Sequence, residues 1–457
     1  MCRFLFTSFF ILFSSLLFAQ KEDSLFIRKI ADEILVNGKA YCNLKILTAT
    51  VGGRLSGSPQ MYKAEEWGQK TLKEAGADKV WLQECQVPHW IRGGKDEAKF
   101  ITPDNKEEVL DILALGNSVG TGVKGMTAQV ILIKNFDELE KRKDELKGKI
   151  VFYNYKFNPK FVETFYSYGD AVRYREFGAS RAAKYGAVAM LTRSMTHSVD
   201  NNPHTGALDY IDSFPKIPAA AVGLWDADKL AKAINENKEV KLFLRTNAKM
   251  LPDTPGHNVI GELTGSEFPD QYITIGGHLD SWDPAEGASD DGTGCVHSIE
   301  VLRVLKAVGY KPRHSIRIVL FANEENGLRG GIKYAEEAKA KNEKHLFGLE
   351  SDAGGFTPRG FSIALPADKL EKIRKEWLPL LQDYGVYKFV GGGGGADVEP
   401  LNEAFGIPVS ELMPDSQRYF DYHHSRNDVL ANVNKRELEL GAINMAALIY
   451  LVDKYGF

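Results

Sequence analysis

The sequence predicts an α/β fold: a mostly parallel central sheet flanked by helices, with a second unit inserted into it. Three observations carry this expectation. From residue 272 onward, apolar runs at 272–275, 315–321, 347–351 and 407–412 alternate with helical patterns at 295–308, 328–341, 366–384 and 434–454. Such alternation implies a largely parallel sheet covered on both faces. Clusters of His, Asp, Glu and Gly sit at the ends of these expected strands, where open α/β sheets put their chemistry. The middle third, by contrast, has strands and helices enough for its own core but no dense cluster of histidines and carboxylates.

In chain order, residues 1–20 stand apart. Arg3 is the only charge, an apolar run covers 4–18, and Ala19-Gln20 follows. A short positive start and an apolar stretch too short to span a bilayer comfortably describe a secretory signal peptide; an uncleaved anchor is the rival reading. Helices are expected at 24–36 and from 41 to 47. The glycines and proline of Gly52-Gly53-Arg54-Leu55-Ser56-Gly57-Ser58-Pro59 then mark a loop. A helix at 62–75 closes at Gly76, and a strand follows at 79–87. The middle third offers strands at 128–133 and 150–153, a small-residue helix from 178 leading into a strand that ends near 191, and a helix at 226–236. The expected division is therefore a signal peptide at 1–20, a main domain in two parts at 21–114 and 251–457, and an insertion at 115–250.

Composition narrows the function. The 457 residues are 44% hydrophobic and carry a net charge of −4, which argues against a nucleic-acid binder or an anionic-membrane binder. After signal removal three of the four cysteines remain, Cys42, Cys85 and Cys295. That leaves room for one disulfide at most. A Cys42–Cys85 pair and three buried small hydrophobes are both open.

The chemistry-bearing residues fall in four groups. Gly276-Gly277-His278-Leu279-Asp280 continues to Ser289-Asp290-Asp291-Gly292; the others are Asn323-Glu324-Glu325-Asn326-Gly327, Glu350-Ser351-Asp352, and His423-His424 running on to Asp428. Singly, each has a bland explanation: a surface or core histidine, a solvated glutamate pair, a turn. Four such groups at the ends of neighbouring strands point instead to a divalent cation site, with zinc the natural occupant of mixed His and carboxylate ligands. The count suits two ions, since one carboxylate can bridge metals about 3.5–4 Å apart. Hydrolysis then needs a carboxylate free of metal to take a proton from water. Adjacent Glu324 and Glu325 can divide those tasks as base and ligand. Peptide hydrolysis is the natural reaction. His197 and His204 are candidates for a substrate cleft, and Gly391–Gly395, which no Lys-Ser/Thr follows, for a pocket wall or flap rather than a phosphate loop.

Taken together, His278-Leu279-Asp280, Asp290-Asp291-Gly292-Thr293-Gly294, Asn323-Glu324-Glu325-Asn326-Gly327-Leu328-Arg329-Gly330, Asp352 and His424 resemble the co-catalytic zinc aminopeptidases. The likeness is greatest to the carboxypeptidase Q (plasma glutamate carboxypeptidase) branch, whose members are exported dipeptidases. Arg54-Leu55-Ser56-Gly57-Ser58 resembles that branch too, and the insertion is similar to a protease-associated domain. The resemblance implies two zinc ions bridged by Asp290. One would be completed by His278 and Asp352 and the other by Glu325 and His424. It further implies Glu324 as general base, Asp280 orienting His278, and a cis Asp290–Asp291 peptide. Some relatives place a tyrosine near the position of the glycine run to stabilise the oxyanion. Here the donor is open among Tyr419, Tyr422, a backbone amide and the metals.

The expected function is a secreted or periplasmic zinc exopeptidase that cleaves after a free N-terminal residue. Its substrates would be dipeptides or short peptides, and it would have no nucleic-acid partner and no membrane attachment after signal removal. The oligomeric state is open, with a homodimer as one option. The alternatives are glutaminyl-cyclase-like acyl transfer on the same fold and a non-catalytic binding ectodomain.

Overall fold

A computed structural model describes residues 21–457, so the expected signal peptide at 1–20 lies outside the described residues. Two eight-stranded sheets organise them. In the main sheet the order is Lys79–Ile91, Lys249–Leu263, His314–Phe321, Phe268–His278, Lys344–Glu350, Val409–Pro414, Pro358–Ile363, Lys388–Gly391. Its centre is parallel, with Phe268–His278 flanked by His314–Phe321 and Lys344–Glu350, and the latter paired to Val409–Pro414. Antiparallel pairings lie toward the two edges. Among the described residues no helix is long and apolar enough to cross a membrane.

The central strands are apolar on both faces, as a doubly covered sheet requires. In His314–Phe321, Ile316, Ile318 and Leu320 join the core on one face while Val319 and Phe321 join the core on the other. The first core is completed by Thr293–Ala307 and by the long final helix Lys435–Tyr455, which is buried along most of its length. Asn434 caps that final helix by accepting from the amides of Arg436 and Glu437. The helix Pro59–Ala75 starts ahead of its expected start at 62 and ends, as expected, at Gly76. Ser58 Oγ accepts from the Met61 amide at its start, and Gly76 ends it with φ 96°, a conformation that glycine adopts at little cost.

Two expectations are corrected. The stretch 366–384 is not one helix but Ala367–Glu376 and Leu378–Leu381 followed by a short turn, because Pro379 cannot donate the hydrogen bond that continuity needs. The second sheet also begins earlier than residue 115. Its order is Glu107–Leu110, Glu97–Ile101, Lys241–Arg245, Met126–Ile133, Ile150–Tyr153, Ala189–Arg193, Ala219–Val222, Ile112–Ala114. The strands before residue 115 are short, and Glu97–Ile101 and Glu107–Leu110 are rich in charge, so the apolar signal they carry is weak. Cross-strand ion pairs such as Lys99 with Glu107 and Arg245 with Glu97 accompany their pairing. Among the described residues Cys42, Cys85 and Cys295 are all free thiols, which closes the disulfide option.

The final helix is fastened to the main sheet through buried Asp453. Its carboxylate accepts from the amides of Arg313 and His314 (both 2.9 Å), His314 Nδ1 (2.9 Å) and the Tyr310 hydroxyl (2.6 Å). Replacing Asp453 with Ala should strand these donors and cost about 2 kcal/mol. A fall of several degrees in the thermal unfolding midpoint is expected; an unchanged midpoint would show that solvent replaces the carboxylate.

Candidate metal centre

The parallel centre of the sheet delivers the site. His278 is the last residue of Phe268–His278, Glu324 lies just beyond Phe321, and Asp352 just beyond Glu350, so adjacent strands empty their polar ends onto one edge. Asp290 arrives from the turn before the buried helix Thr293–Ala307, and His424 from the loop after Tyr419–Tyr422.

All seven residues singled out from the sequence meet there. His278 Nε2 lies 3.1 Å from Asp290 Oδ1, 3.2 Å from Asp352 Oδ1 and 3.9 Å from Glu324 Oε2. His424 Nε2 lies 3.3 Å from Asp290 Oδ2 and 3.1 Å from Glu325 Oε2. Asp290 thus turns one oxygen toward each imidazole. His423 stacks on His424 with ring centroids 3.5 Å apart, and its Nε2 is 3.8 Å from Asp290 Oδ2, so it too borders the cluster. The Asp290–Asp291 peptide is cis.

Several of these atoms have no other use. His278 Nε2, Asp290 Oδ2, Glu325 Oε1 and Asp352 Oδ1 are buried and form no hydrogen bond. Orphaned polar atoms of this kind are costly unless a ligand satisfies them. Mixed nitrogen and carboxylate donors facing a common point suit a divalent cation. The electrostatics agree. Burial, reinforced by the neighbouring charge of Asp290, pushes the Glu325 carboxyl up to about 7. Burial likewise raises Glu324 well above its ordinary value, with Asp352 and Glu325 adding to the effect. Burial opposes charge on His424, yet Glu325 and Asp290 lift it to about 9. The cluster draws positive charge to itself.

Around it lies a supporting layer. The Asp280 carboxylate keeps its Oδ1 3.7 Å from His278 Nδ1. His278 Nδ1 is instead 3.0 Å from the Asp280 backbone carbonyl, which fixes the tautomer that leaves Nε2 free. The Asp280 carboxylate accepts from the Glu324 amide at 3.0 Å and so holds the backbone of that residue. Asp291 accepts from the amides of His278 (3.0 Å) and Gly294 (2.9 Å). Asp428 grips the Asp290 turn by accepting from the amides of Ser289 (2.6 Å) and Asp290 (3.2 Å). Arg54 is fully buried and donates to the carbonyls of Leu279 (2.5 Å), Glu286 (2.9 Å) and Gly287 (3.0 Å), tying the His278 loop to the Asp290 turn. Gly287 has φ 59°, and a Cβ there would come within 2.7 Å of the Arg54 guanidinium.

The cluster opens into a cavity of about 600 Å³. Gly394 and Gly395 line it, so part of the glycine run forms a wall of backbone. Tyr419 also lines it and Tyr422 does not, whereas Tyr168 and Arg175 enter from the segment carrying the second sheet. Reasoning from sequence missed Tyr168 and Arg175, because they lie far from any His or carboxylate motif. It also missed the tasks of Asp428 and Arg54, whose partners are backbone groups. His197, packed on Phe157, and buried His204 are not among the lining residues.

Comparison with known proteins places this geometry. A model of Peptidase family M28 matches residues 258–449, the stretch that contains every residue of the cluster. Human carboxypeptidase Q is 36% identical over 430 residues, covering 93% of this chain and 88% of its own length. The crystal structure of a Peptidase M28 precursor from Shewanella amazonensis superposes with a TM-score of 0.89 at 31% identity, covering 95% of this chain and 97% of that one. BSAP, a zinc aminopeptidase from Bacillus subtilis, shares the fold with a TM-score of 0.63 at 20% identity, over 90% of this chain and 93% of its own. Identity above a third across nearly the whole of a relative, with the clustered histidines and carboxylates inside the matched stretch, makes this chain a member of Peptidase family M28.

Proposed function

We propose that the chain is an exported di-zinc exopeptidase that releases the N-terminal residue from dipeptides and short peptides. The observation carrying this reading is the position of Asp290, with Oδ1 3.1 Å from His278 Nε2 and Oδ2 3.3 Å from His424 Nε2. One carboxylate thereby faces two donor sets. His278 and Asp352 would complete the ligands of one zinc, and Glu325 and His424 those of the other. Zinc suits this mixture of imidazole and carboxylate, and the zinc aminopeptidase of Bacillus subtilis with the same fold supports the choice. When bound, two such ions polarise the substrate carbonyl and acidify water.

The remaining work falls to the protein. Glu324 borders the cavity and is the proposed general base. It would take a proton from the attacking water as the oxygen bonds to the acyl carbon. It would then pass that proton to the nitrogen as the peptide C–N bond breaks. Asp280, by holding the Glu324 amide, sets where that base stands. Tyr419 is the tyrosine of the expected pair that lines the cavity, which favours it as a donor to the developing oxyanion. Residues 21–91 and 249–457, which carry the main sheet, form the proposed peptidase domain. The insertion is read as a protease-associated-like cap: Phe165, Tyr168 and Arg175 narrow the cavity from its side, which supports small substrates. Export rests on the signal-like residues 1–20.

Three outcomes test this reading. Glu324→Gln should lower kcat by at least about a hundredfold while leaving two zincs per chain by elemental analysis; retained turnover would remove Glu324 from its role. Asp290→Asn should reduce the bound zinc below two per chain, since both sites share that carboxylate. Peptides bearing an acetylated N-terminus should resist cleavage, followed by amino-acid release on chromatography; their hydrolysis at the rate of the free peptides would point to an endopeptidase.

A further inference from the structure

The two imidazoles of the metal cluster are held in different ways. His278 closes a strand of the main sheet, and its Nδ1 meets a carbonyl of its own loop, that of Asp280. His424 stands in irregular backbone with φ 58°, a left-handed conformation that a residue with a Cβ adopts at a cost. Its Nδ1 lies 3.3 Å from the carbonyl of Thr205, and its own carbonyl accepts from the Thr205 amide at 2.9 Å. One residue of the inserted segment thus clasps His424 through both ring and main chain. A carbonyl can only accept, so this contact puts the imidazole proton on Nδ1. Nε2 keeps its lone pair, on the side where Asp290 and Glu325 lie 3.3 and 3.1 Å away.

Thr205 is in turn fastened to the second sheet. It is fully buried, and its Oγ1 donates at 2.8 Å to the carbonyl of Ala114, the last residue of the strand Ile112–Ala114. The Gly206 carbonyl accepts from the Gly116 amide at 3.0 Å, and the Leu208 amide donates to the Gly116 carbonyl at 3.0 Å. The His204 amide donates to Ser194 Oγ at 2.9 Å, and that hydroxyl donates to the Val222 carbonyl at 2.8 Å. The main chain comes this close to the imidazole because residue 206 is glycine, with φ 126°. A Cβ there would lie 2.6 Å from His424 Nδ1 and 2.5 Å from Arg175 Nη1. The rest of the His424 loop is bound to the same unit. Arg426 pairs with both oxygens of Asp111 at 2.7 and 3.0 Å, and Asn427 donates to Asp200 at 2.7 Å.

We propose that Thr205 and Gly206 are positioning residues of the metal centre. The inserted segment sets the tautomer and orientation of His424, so the ion completed by Glu325 and His424 depends on the second sheet. The ion completed by His278 and Asp352 does not. The inference rests on the di-zinc reading above and gives the insertion a task beyond walling the cavity. Partners that orient a ligating histidine typically govern metal affinity by about tenfold to a hundredfold.

The test counts metal in the full-length protein. Zinc-loaded samples are dialysed against increasing chelator, and the zinc that remains is measured by elemental analysis. Thr205→Val keeps the side-chain shape but loses the hydroxyl held by Ala114, and Gly206→Ala pushes on the ring itself. In both, one zinc should leave at a chelator concentration at least about tenfold lower than in the wild type, while the second zinc is held as before. Thr205→Ser, which keeps the hydroxyl, should hold both. On a His424→Ala background, Thr205→Val should change zinc release no further, because its effect passes through that imidazole. Both zincs loosened alike, neither loosened, or an added loss on the His424→Ala background overturns the proposal. If the Val and Ala variants fail to fold, nitrogen NMR of labelled histidines in the zinc-loaded wild type decides: the proton of His424 should be on Nδ1, and a proton on Nε2 overturns the proposal. A wild-type protein holding a single zinc would fail the di-zinc reading instead, and the difference between Thr205→Val and Thr205→Ser would still judge the clasp.

Discussion

Everything at the active edge of the main sheet follows from the burial of too many carboxylates in one place. Asp280, Asp290, Asp291, Glu325 and Asp428 are nearly inaccessible, and Glu324 and Asp352 are only partly open. Uncompensated, such groups would be expelled toward water or forced to hold protons. Each has instead been given a specific partner. Some face the imidazoles of His278 and His424, and some accept backbone amides. The unspent oxygens and Nε2 of His278 face one another across one space, a donor set that suits a divalent cation.

The partners of the non-facing carboxylates explain how the loops hold their shape. Asp291, Asp428 and Asp280 accept amides from the segments that carry His278, Asp290 and Glu324. Arg54 gathers the opposite groups, the carbonyls of the same loops. Donors and acceptors of the irregular backbone are thus satisfied by charged side chains, which make stronger hydrogen bonds than neutral ones. Acidic loops of this composition keep one geometry because their main chain is bonded from both sides.

The second sheet contributes by position more than by chemistry. It brings aromatic rings and one buried arginine to the mouth of the cluster, turning an exposed sheet edge into a bounded cavity. The main sheet supplies the histidines and carboxylates of the cluster, and the segment around the second sheet supplies part of the cavity wall.

Much of this was legible in the residues alone. Apolar runs at strand spacing announced the parallel centre of the sheet, and strand ends rich in His, Asp and Glu announced the cluster, because both signals are local. Short-range chemistry also marked the helix end at Gly76. Other features depend on contacts between distant segments. The short strands Glu97–Ile101 and Glu107–Leu110 bury only Ala98, Phe100 and Leu110 between charged residues, so their membership of the second sheet is decided by pairing with distant Lys241–Arg245. That Asp280 meets His278 through its carbonyl while its carboxylate holds the Glu324 amide is decided by backbone geometry. Arg54, Asp428 and Arg175 carry no motif that names their partners, which lie well over a hundred residues away for the first two. The sequence by itself determined which side chains could hold and use a metal. The tertiary structure decided which oxygen of each carboxylate faces the site, which backbone it restrains, and which cation stands beside it, because those are questions of distance between residues that only folding brings together.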